Sequence, residues 1–515
     1  MGLLAHMLSR IWSASLVGID ALKVGVEVDL SGGLPGVVVV GLPDTAVQES
    51  KERVRAALKN AGFAFPMRKV VINLTPADVR KEGPIYDLPI AIGILAASES
   101  VDGALLDDYL LLGEMSLDGT LRPVAGVVAI AAAAQKLGLK GLILPADNAY
   151  EAAVVPGLEV YGFKQLSEVV DFLNRPEDYA STKADAPEDL LRSPASLLDL
   201  QDIKGQAQAR RALEIAAAGG HNLCLIGPPG SGKTMLAQRL PGILPPLTFA
   251  EALEVTQIHS VAGLLKEKGS LVNQRPFRTP HHSASGPSLV GGGSYPKPGE
   301  ISLAHRGVLF LDELTEFKRS VLEFLRQPLE DGKVTITRTR QSVEFPAQFT
   351  LVASTNPCPC GYFGDTVQPC TCSPRHREQY WAKLSGPLMD RIDLQVVVGR
   401  LKPEEVTRQP EGEDSAAVRT RVEAARRRAQ ARFSKEPALQ CNADMESRHI
   451  REWCAFDDAT RSLIEGAVRK LGLSARATDR ILKVARTIAD LGDEEEIQTH
   501  HVAEAVQYRT IDRMQ

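Results

Sequence analysis

Eight residues, GPPGSGKT from Gly227 to Thr234, carry the most specific chemistry in the chain. The pattern G-x-x-x-x-G-K-[ST] falls between an apolar strand, NLCLI, and a helix. A loop of this kind converges its backbone N–H groups on phosphate oxygens, and the helix N-terminus adds the positive end of its dipole. Gly227, Pro228, Pro229, Gly230, Ser231 and Gly232 shape the cradle. Lys233 neutralises the β and γ phosphates, and the Thr234 hydroxyl ligates Mg²⁺. The expected chemistry is hydrolysis of ATP with Mg²⁺.

Two further runs complete such a site. GVLFLDEL, from Gly307, is a buried strand ending in two acids. Asp312 suits the Mg²⁺ shell, and Glu313 suits orienting and deprotonating a water. FTLVAST leads to Asn356, and in an open parallel sheet the carboxyl ends of neighbouring strands face one crevice, so Asn356 reaches the γ-phosphate or the water. Taken singly, the acids could start a helix and Asn356 could form a turn. Beside a phosphate loop, the three read as hydrolytic machinery.

A separate cluster follows directly. Cys358 and Cys360 are separated by nine residues from Cys370 and Cys372. Four thiols on a short glycine-containing loop suit tetrahedral Zn²⁺, with reduced free cysteines as the alternative. Cys224 reads as core, and Cys441 and Cys454 have no partner spacing.

These groups need an α/β scaffold to position them. Residues 1–175 alternate β-type runs (VGVEVDL from Val24, VVVV from Val37, VVINL from Val70) with a helix that starts at an Asp44 cap and stops at Gly62. Residues 176–198 are rich in Pro, Ala, Ser and Asp and read as a linker. Residues 199–400 alternate strands and helices, with the cysteine insert at 357–373. A polar linker at 401–415 precedes an all-helical block at 416–515. Within that block VRTRVEAARRRAQARFSK, from Val418, reads as a solvated basic face or a nucleic-acid surface.

Composition narrows the class. A chain of 515 residues with 44% hydrophobic and 24% charged residues is globular and holds two or three domains. Its net charge of −5 exerts no global pull on nucleic acid or anionic membrane, so any polyanion binding must be local. No run approaches the ~20 apolar residues of a membrane span, and no signal-peptide frame surrounds the N-terminus. The cytoplasm is the expected location, where the seven cysteines would stay reduced.

Long runs of the chain resemble the magnesium-chelatase-like AAA+ ATPases. They include KEGPIYDLPIAIGILAAS, DIKGQAQARRALEIAAAGGHNL, RTPHHSASGPSLVGGGSYPKPGEISLAHRGVLFLDEL, STNPCPCGYFGD, LSGPLMDRIDL and SARATDRILKVARTIADL. The resemblance implies an α/β chain with three parts: a Lon-protease-like (ribosomal S5 domain 2-like) N-terminal domain, an AAA+ P-loop core with a parallel sheet, and a C-terminal helical lid. It implies that Asn356 is sensor 1, Arg391 is an arginine finger entering a neighbouring subunit, and Arg476 is the lid's sensor-2 arginine. Both arginines then require a ring, expected to be a homo-hexamer.

Relatives in this family act as DNA motors. The resemblance therefore implies a helicase on single-stranded or branched DNA that promotes branch migration while imported DNA is integrated in natural transformation, or in related homologous recombination. The Gly-rich run from Arg278 and the strand pair from Gly332 are expected to face the ring pore. There Arg278, His281, His282, Lys297, Lys333, Arg338 and Arg340 could contact phosphates, with Tyr295 as the main aromatic; solvated loop charge is the alternative. Protein remodelling and metal-chelatase-type ATPase activity remain rival readings. Peptidase activity is not expected, because Lys81, Glu82, Gly83 and Pro84 are followed by Ile85 where Lon carries its serine, and residues 124–134 contain no lysine to act as base.

Overall fold

Period-two burial builds the first sheet. In Asp20–Ser31, Val26, Val28 and Leu30 are buried while Glu27 and Asp29 between them are only partly so. This strand pairs antiparallel with Met7–Val17 and with Lys69–Thr75. Gly36–Val40 adds to Lys69–Thr75 in parallel as one edge. Tyr109–Leu111, Gly141–Pro145 and Glu159–Phe163 extend the other side in parallel, giving seven strands. The helix Thr45–Asn60 is capped by Asp44, whose carboxylate accepts the Val47 N–H at 2.8 Å, and it buries Val47, Val54 and Leu58. A second helix, Asp87–Ala97, is buried almost all round; at Gly93 a Cβ would stand 2.6 Å from Val28 Cγ2, so only glycine lets the helix lie this close to the sheet.

The computed structural model describes residues 7–192, 198–265, 271–293, 296–338, 341–401, 403–407 and 412–509. The chain divides into two compact units, Met1–Arg192 with Thr248–Asn273, and Ser193–Leu247 with Gln274–Gln515. The first unit thus borrows a segment that follows the phosphate-loop helix in sequence. Its helix Phe249–Ala262 starts in a capping box between Thr248 and Glu251. Leu253 packs on the cluster around Val127, Ile130 and Leu142, and Ser260 Oγ donates to Glu151 Oε1 at 2.5 Å.

In the second unit five parallel strands lie in the order Phe277–Arg278, Val308–Leu311, Thr350–Thr355, Leu223–Ile226, Leu394–Val397. The three central strands are buried throughout, as their unbroken apolar runs require of a sheet covered on both faces. The C-terminal helices, Ser415–Arg432, Ser447–Trp453, Asp458–Leu471, Ala475–Leu491 and Thr499–Gln507, share one core with that sheet, in which Leu213, Ala217 and Leu223 cluster with Val422, Ile481, Ala485 and Val502.

Four arginines of Ser415–Arg432 dock this block, while Arg427 is exposed. Arg421 binds Glu214 at 2.6 Å, Arg426 donates to Ala217 O at 2.8 Å, Arg428 donates to Asp490 O at 2.7 Å, and Arg432 pairs with Asp490. No described helix is long and apolar enough to cross a membrane.

Candidate active site

The strand Leu223–Ile226 runs straight into the phosphate loop. At Gly227 a Cβ would meet Val398 O at 2.1 Å, so the loop can leave the sheet here only as glycine. Gly230 and Gly232 take the left-handed backbone (φ 77° and 91°) and have open space on their Cβ side. The helix Lys233–Ile243 then begins at the lysine itself. Lys233 Nζ donates to Gly227 O at 2.7 Å and Pro228 O at 2.9 Å, and lies 3.4 Å from Asn356 Oδ1. Burial lowers its pKa, opposed by the charges of Asp312 and Glu313.

Ser231 Oγ, buried in the same loop, has no hydrogen-bond partner among the described residues. A buried ammonium satisfied by loop carbonyls, an orphaned hydroxyl and an open glycine cradle all fit a phosphate chain.

The acids stand opposite. Asp312 Oδ2 accepts the Thr234 hydroxyl at 3.1 Å, so the two expected Mg²⁺ ligands already meet, and Asp312 Oδ1 accepts the Ser354 hydroxyl. Glu313 adopts a left-handed backbone (φ 54°), and its N–H reaches Asp312 Oδ1 at 3.2 Å and Ser354 Oγ at 3.3 Å. Such a conformation is unusual for a non-glycine residue, and here it turns the acid out of the strand at the site. Its carboxylate is 3.7 Å from His282 Nδ1.

Ser354 and the Glu313–His282 pairing were not foreseen. The only signal for Ser354 was its place two residues before Asn356. Bound Mg²⁺ would supply charge neutralisation of the phosphates, with Thr234 and Asp312 as the residues able to hold it.

The four cysteines converge. Cys358 Sγ lies 3.3 Å from Cys360 Sγ and 3.6 Å from Cys370 Sγ, Cys360 and Cys370 are 3.6 Å apart, and all four sulfurs fall within 4.8 Å of one another. A tetrahedron of Zn–S bonds near 2.3 Å sets sulfurs about 3.8 Å apart, so the set is of the right size. Burial opposes ionisation of Cys360, but N–H donors from Tyr362 and Thr371, with the thiols of Cys358 and Cys372, hold its pKa at about 5. Cys358, by contrast, is pushed up to about 12, chiefly by burial. The cysteine loop also touches the phosphate loop. Gly361 has φ 88°, and a Cβ there would stand 2.8 Å from Pro229 Cδ.

Arg391 and Arg476 stand apart from the loop. Leu223–Ile226 and Leu394–Val397 pair in parallel, so Gly227–Thr234 follows the carboxyl end of the sheet while Arg391 precedes its amino end. Arg391 pairs with Glu330 and donates to Pro387 O at 2.5 Å. Burial and the neighbouring charges of Arg326, Arg480 and Arg476 lower its pKa, which marks a crowd of guanidiniums. Arg476 is exposed on Ala475–Leu491.

Among the other sequence candidates, Arg278 is forked onto Glu300 at 2.7 and 2.8 Å, and Lys333 is held by Glu344 at 2.8 and 3.0 Å. His281 Nδ1 meets Ser283 Oγ at 2.8 Å, His282 belongs with Glu313, and Lys297 is exposed. Arg340, Tyr295 and the side chain of Arg338 lie outside the described residues. In the first unit, Ile85 sits in the turn Pro84–Tyr86 where a peptidase serine would be needed, and Lys81 is wholly buried with its ammonium on Pro76 O.

A phosphate loop, an acidic strand end and a polar third strand on one parallel sheet define a P-loop ATPase site. Three family descriptions match the chain: "Magnesium chelatase, subunit ChlI" over residues 199–406, "Subunit ChlI of Mg-chelatase" over 26–148, and "Magnesium chelatase, subunit ChlI C-terminal" over 412–509. The chain belongs to the magnesium-chelatase-like family of AAA+ ATPases.

Within it, the chain is 47% identical over 511 residues to Competence protein ComM of Haemophilus influenzae, covering 98% of both chains. It is 46% identical over 508 residues, again 98% of both, to the uncharacterized protein YifB of Escherichia coli. A stretch of 125 residues is 29% identical to Lon protease 2 of Bacillus subtilis, covering 24% of this chain and 22% of that one.

Proposed function

We propose that the protein is an ATP-driven DNA motor that works as a hexameric ring and promotes branch migration when imported or recombining strands are integrated. The observation that carries the reading is the juxtaposition of Lys233 with Asn356 and of Thr234 with Asp312, in a chain nearly half identical end to end to a protein named for competence. Lys233 grips the phosphates, Glu313 orients and deprotonates the water, and Asn356 senses the γ-phosphate. Arg391 and Arg476 are the groups a neighbouring copy would receive, which is why a ring is needed. Lys297 and the inserts around it are the surface offered to a DNA backbone. Forked or four-way DNA is expected to raise the ATPase rate several-fold over the rate without DNA, measured by phosphate release across a panel of substrates. An unchanged rate on every substrate, with no strand displacement by active protein, rejects the DNA reading.

The cysteine loop is proposed to hold Zn²⁺ through Cys358, Cys360, Cys370 and Cys372. Its contact with Pro229 supports a role in setting the phosphate loop. A short loop of this kind takes its fold from the metal, so chelation should disorder it and lower the melting temperature. Elemental analysis is expected to return ~1 equivalent of zinc per chain. Less than about a tenth of an equivalent argues for free thiols instead.

A further inference from the structure

A buried polar node lies at the amino end of the sheet, away from the nucleotide. Its centre is Asp393, two residues after Arg391 and 7% exposed. One carboxylate oxygen faces His221 Nδ1 at 3.1 Å, and the other accepts from Arg480 Nη1 at 2.9 Å. Burial alone would raise the Asp393 carboxyl, but the hydrogen bond and charge of His221, then those of Arg480, hold it well below the ordinary range. The second ring nitrogen of His221 meets Thr487 Oγ1 at 2.8 Å on Ala475–Leu491, the helix that carries Arg476 and Arg480. Next along the chain, Asn222 Nδ2 donates to Arg391 O at 2.9 Å, and Asn222 O accepts the N–H groups of Asp393 and Leu394, both at 3.0 Å.

The topology gives this node its reach. His221 and Asn222 directly precede the strand that ends in the phosphate loop. Arg480 lies four residues, about 6 Å of rise, beyond Arg476, so both project from one helix face. Asp393 is therefore tied by chain to Arg391, by ion pair to the helix of Arg476, and through His221 to the phosphate-loop strand. His221 and Asp393 precede the amino ends of the paired strands Leu223–Ile226 and Leu394–Val397, whereas the phosphate loop follows the carboxyl end.

We propose that Asp393, with His221 and Arg480, is a positioning node that locks Arg391 and Arg476 into one unit, so that a chain delivers both guanidiniums together to the nucleotide site of the adjacent copy. This rests on the reading of Arg391 as a group given to a neighbour, and the two can be separated by mixing variants. A Lys233→Ala chain keeps the node and both arginines but cannot hydrolyse. An Arg480→Ala chain keeps its own phosphate loop but should deliver badly.

Alone, full-length Arg480→Ala is expected to bind a fluorescent ATP analogue within about twofold of the parent while kcat falls at least about tenfold, a loss confined to the transition state. Arg480→Lys, which keeps the ion pair, should recover most of the rate. Mixed with equimolar Lys233→Ala, Arg480→Ala should regain about a quarter of the parent's activity per site, the share of random interfaces with a competent loop facing a competent donor. If Arg480→Ala does not assemble, Arg480→Gln is read by the same measurements. Parent-like kcat, or a failure of the mixture to regain activity while Arg391→Ala mixed with Lys233→Ala does regain it, overturns the node. If the Arg391→Ala mixture also stays inactive, the delivery reading of Arg391 itself fails.

Discussion

Lys233→Ala should reduce ATP hydrolysis by at least 10²–10³-fold, on the order of what removing one preorganised charge contact costs in a closed site. The structure gives the reason. Lys233 Nζ is buried, satisfied by two loop carbonyls and close to Asn356, so the ammonium already stands where phosphate oxygens must arrive. The other cation of the helix Lys233–Ile243 is committed elsewhere. Arg239, six residues further along it, is committed to Asp199 O and Met235 O. Because Lys233 contacts ground state and transition state alike, nucleotide affinity should weaken along with kcat, and DNA-stimulated work should vanish with hydrolysis. Phosphate release and equilibrium binding of a fluorescent analogue measure the two separately. A loss under tenfold would mean the loop is not the hydrolytic site.

Arg391→Ala should cost kcat about 10³-fold or more, the range for a guanidinium supplied across an interface to phosphoryl transfer. Here the effect should spare nucleotide binding, since Arg391 sits beyond the opposite end of the sheet from the phosphate loop. In the free chain it is parked on Glu330 and Pro387 O among the repelling charges of Arg326, Arg480 and Arg476, so meeting an anion offered by a second copy relieves that crowding. The decisive measurement is complementation. Lys233→Ala and Arg391→Ala chains, each inactive, should together regain about a quarter of the parent's rate per site. An Arg391→Ala chain with full activity at every protein concentration would remove the need for a ring.

Most of the residues proposed for the nucleotide site could be picked out from the sequence, because phosphate chemistry restricts backbone and side chains at once. Gly227, Gly230 and Gly232 mark left-handed or crowded backbone, Lys233 and Thr234 must follow at the helix start, and Asp312 must end a buried strand. Ser354 escaped because a serine at a strand end is ordinary, and only the pairing of Thr350–Thr355 with Val308–Leu311 sets it against Asp312. His282 escaped as a neighbour of Glu313 for the same reason. Charge counting also overstated the free basic surface. Arg278, Lys333, Arg421, Arg426, Arg428 and Arg432 looked available, yet each found a carboxylate or carbonyl that its own stretch of sequence did not advertise.

What the residues determined alone was local: the phosphate loop, the acids behind an apolar strand, the four thiols, and Ile85 where a Lon-type serine would stand, with no lysine in residues 124–134. Each depends on spacing within a few residues or on one helix or strand. What tertiary structure decided was partnership at long range. It assigned the helix Phe249–Ala262 to the first unit, although it follows the phosphate-loop helix in the chain, and it joined His221, Asp393 and Arg480 across 259 residues of sequence. The physical reason is that burial and ion pairing are settled by which surfaces close on one another, and a period of 3.6 or 2 says that a face is apolar without saying what covers it.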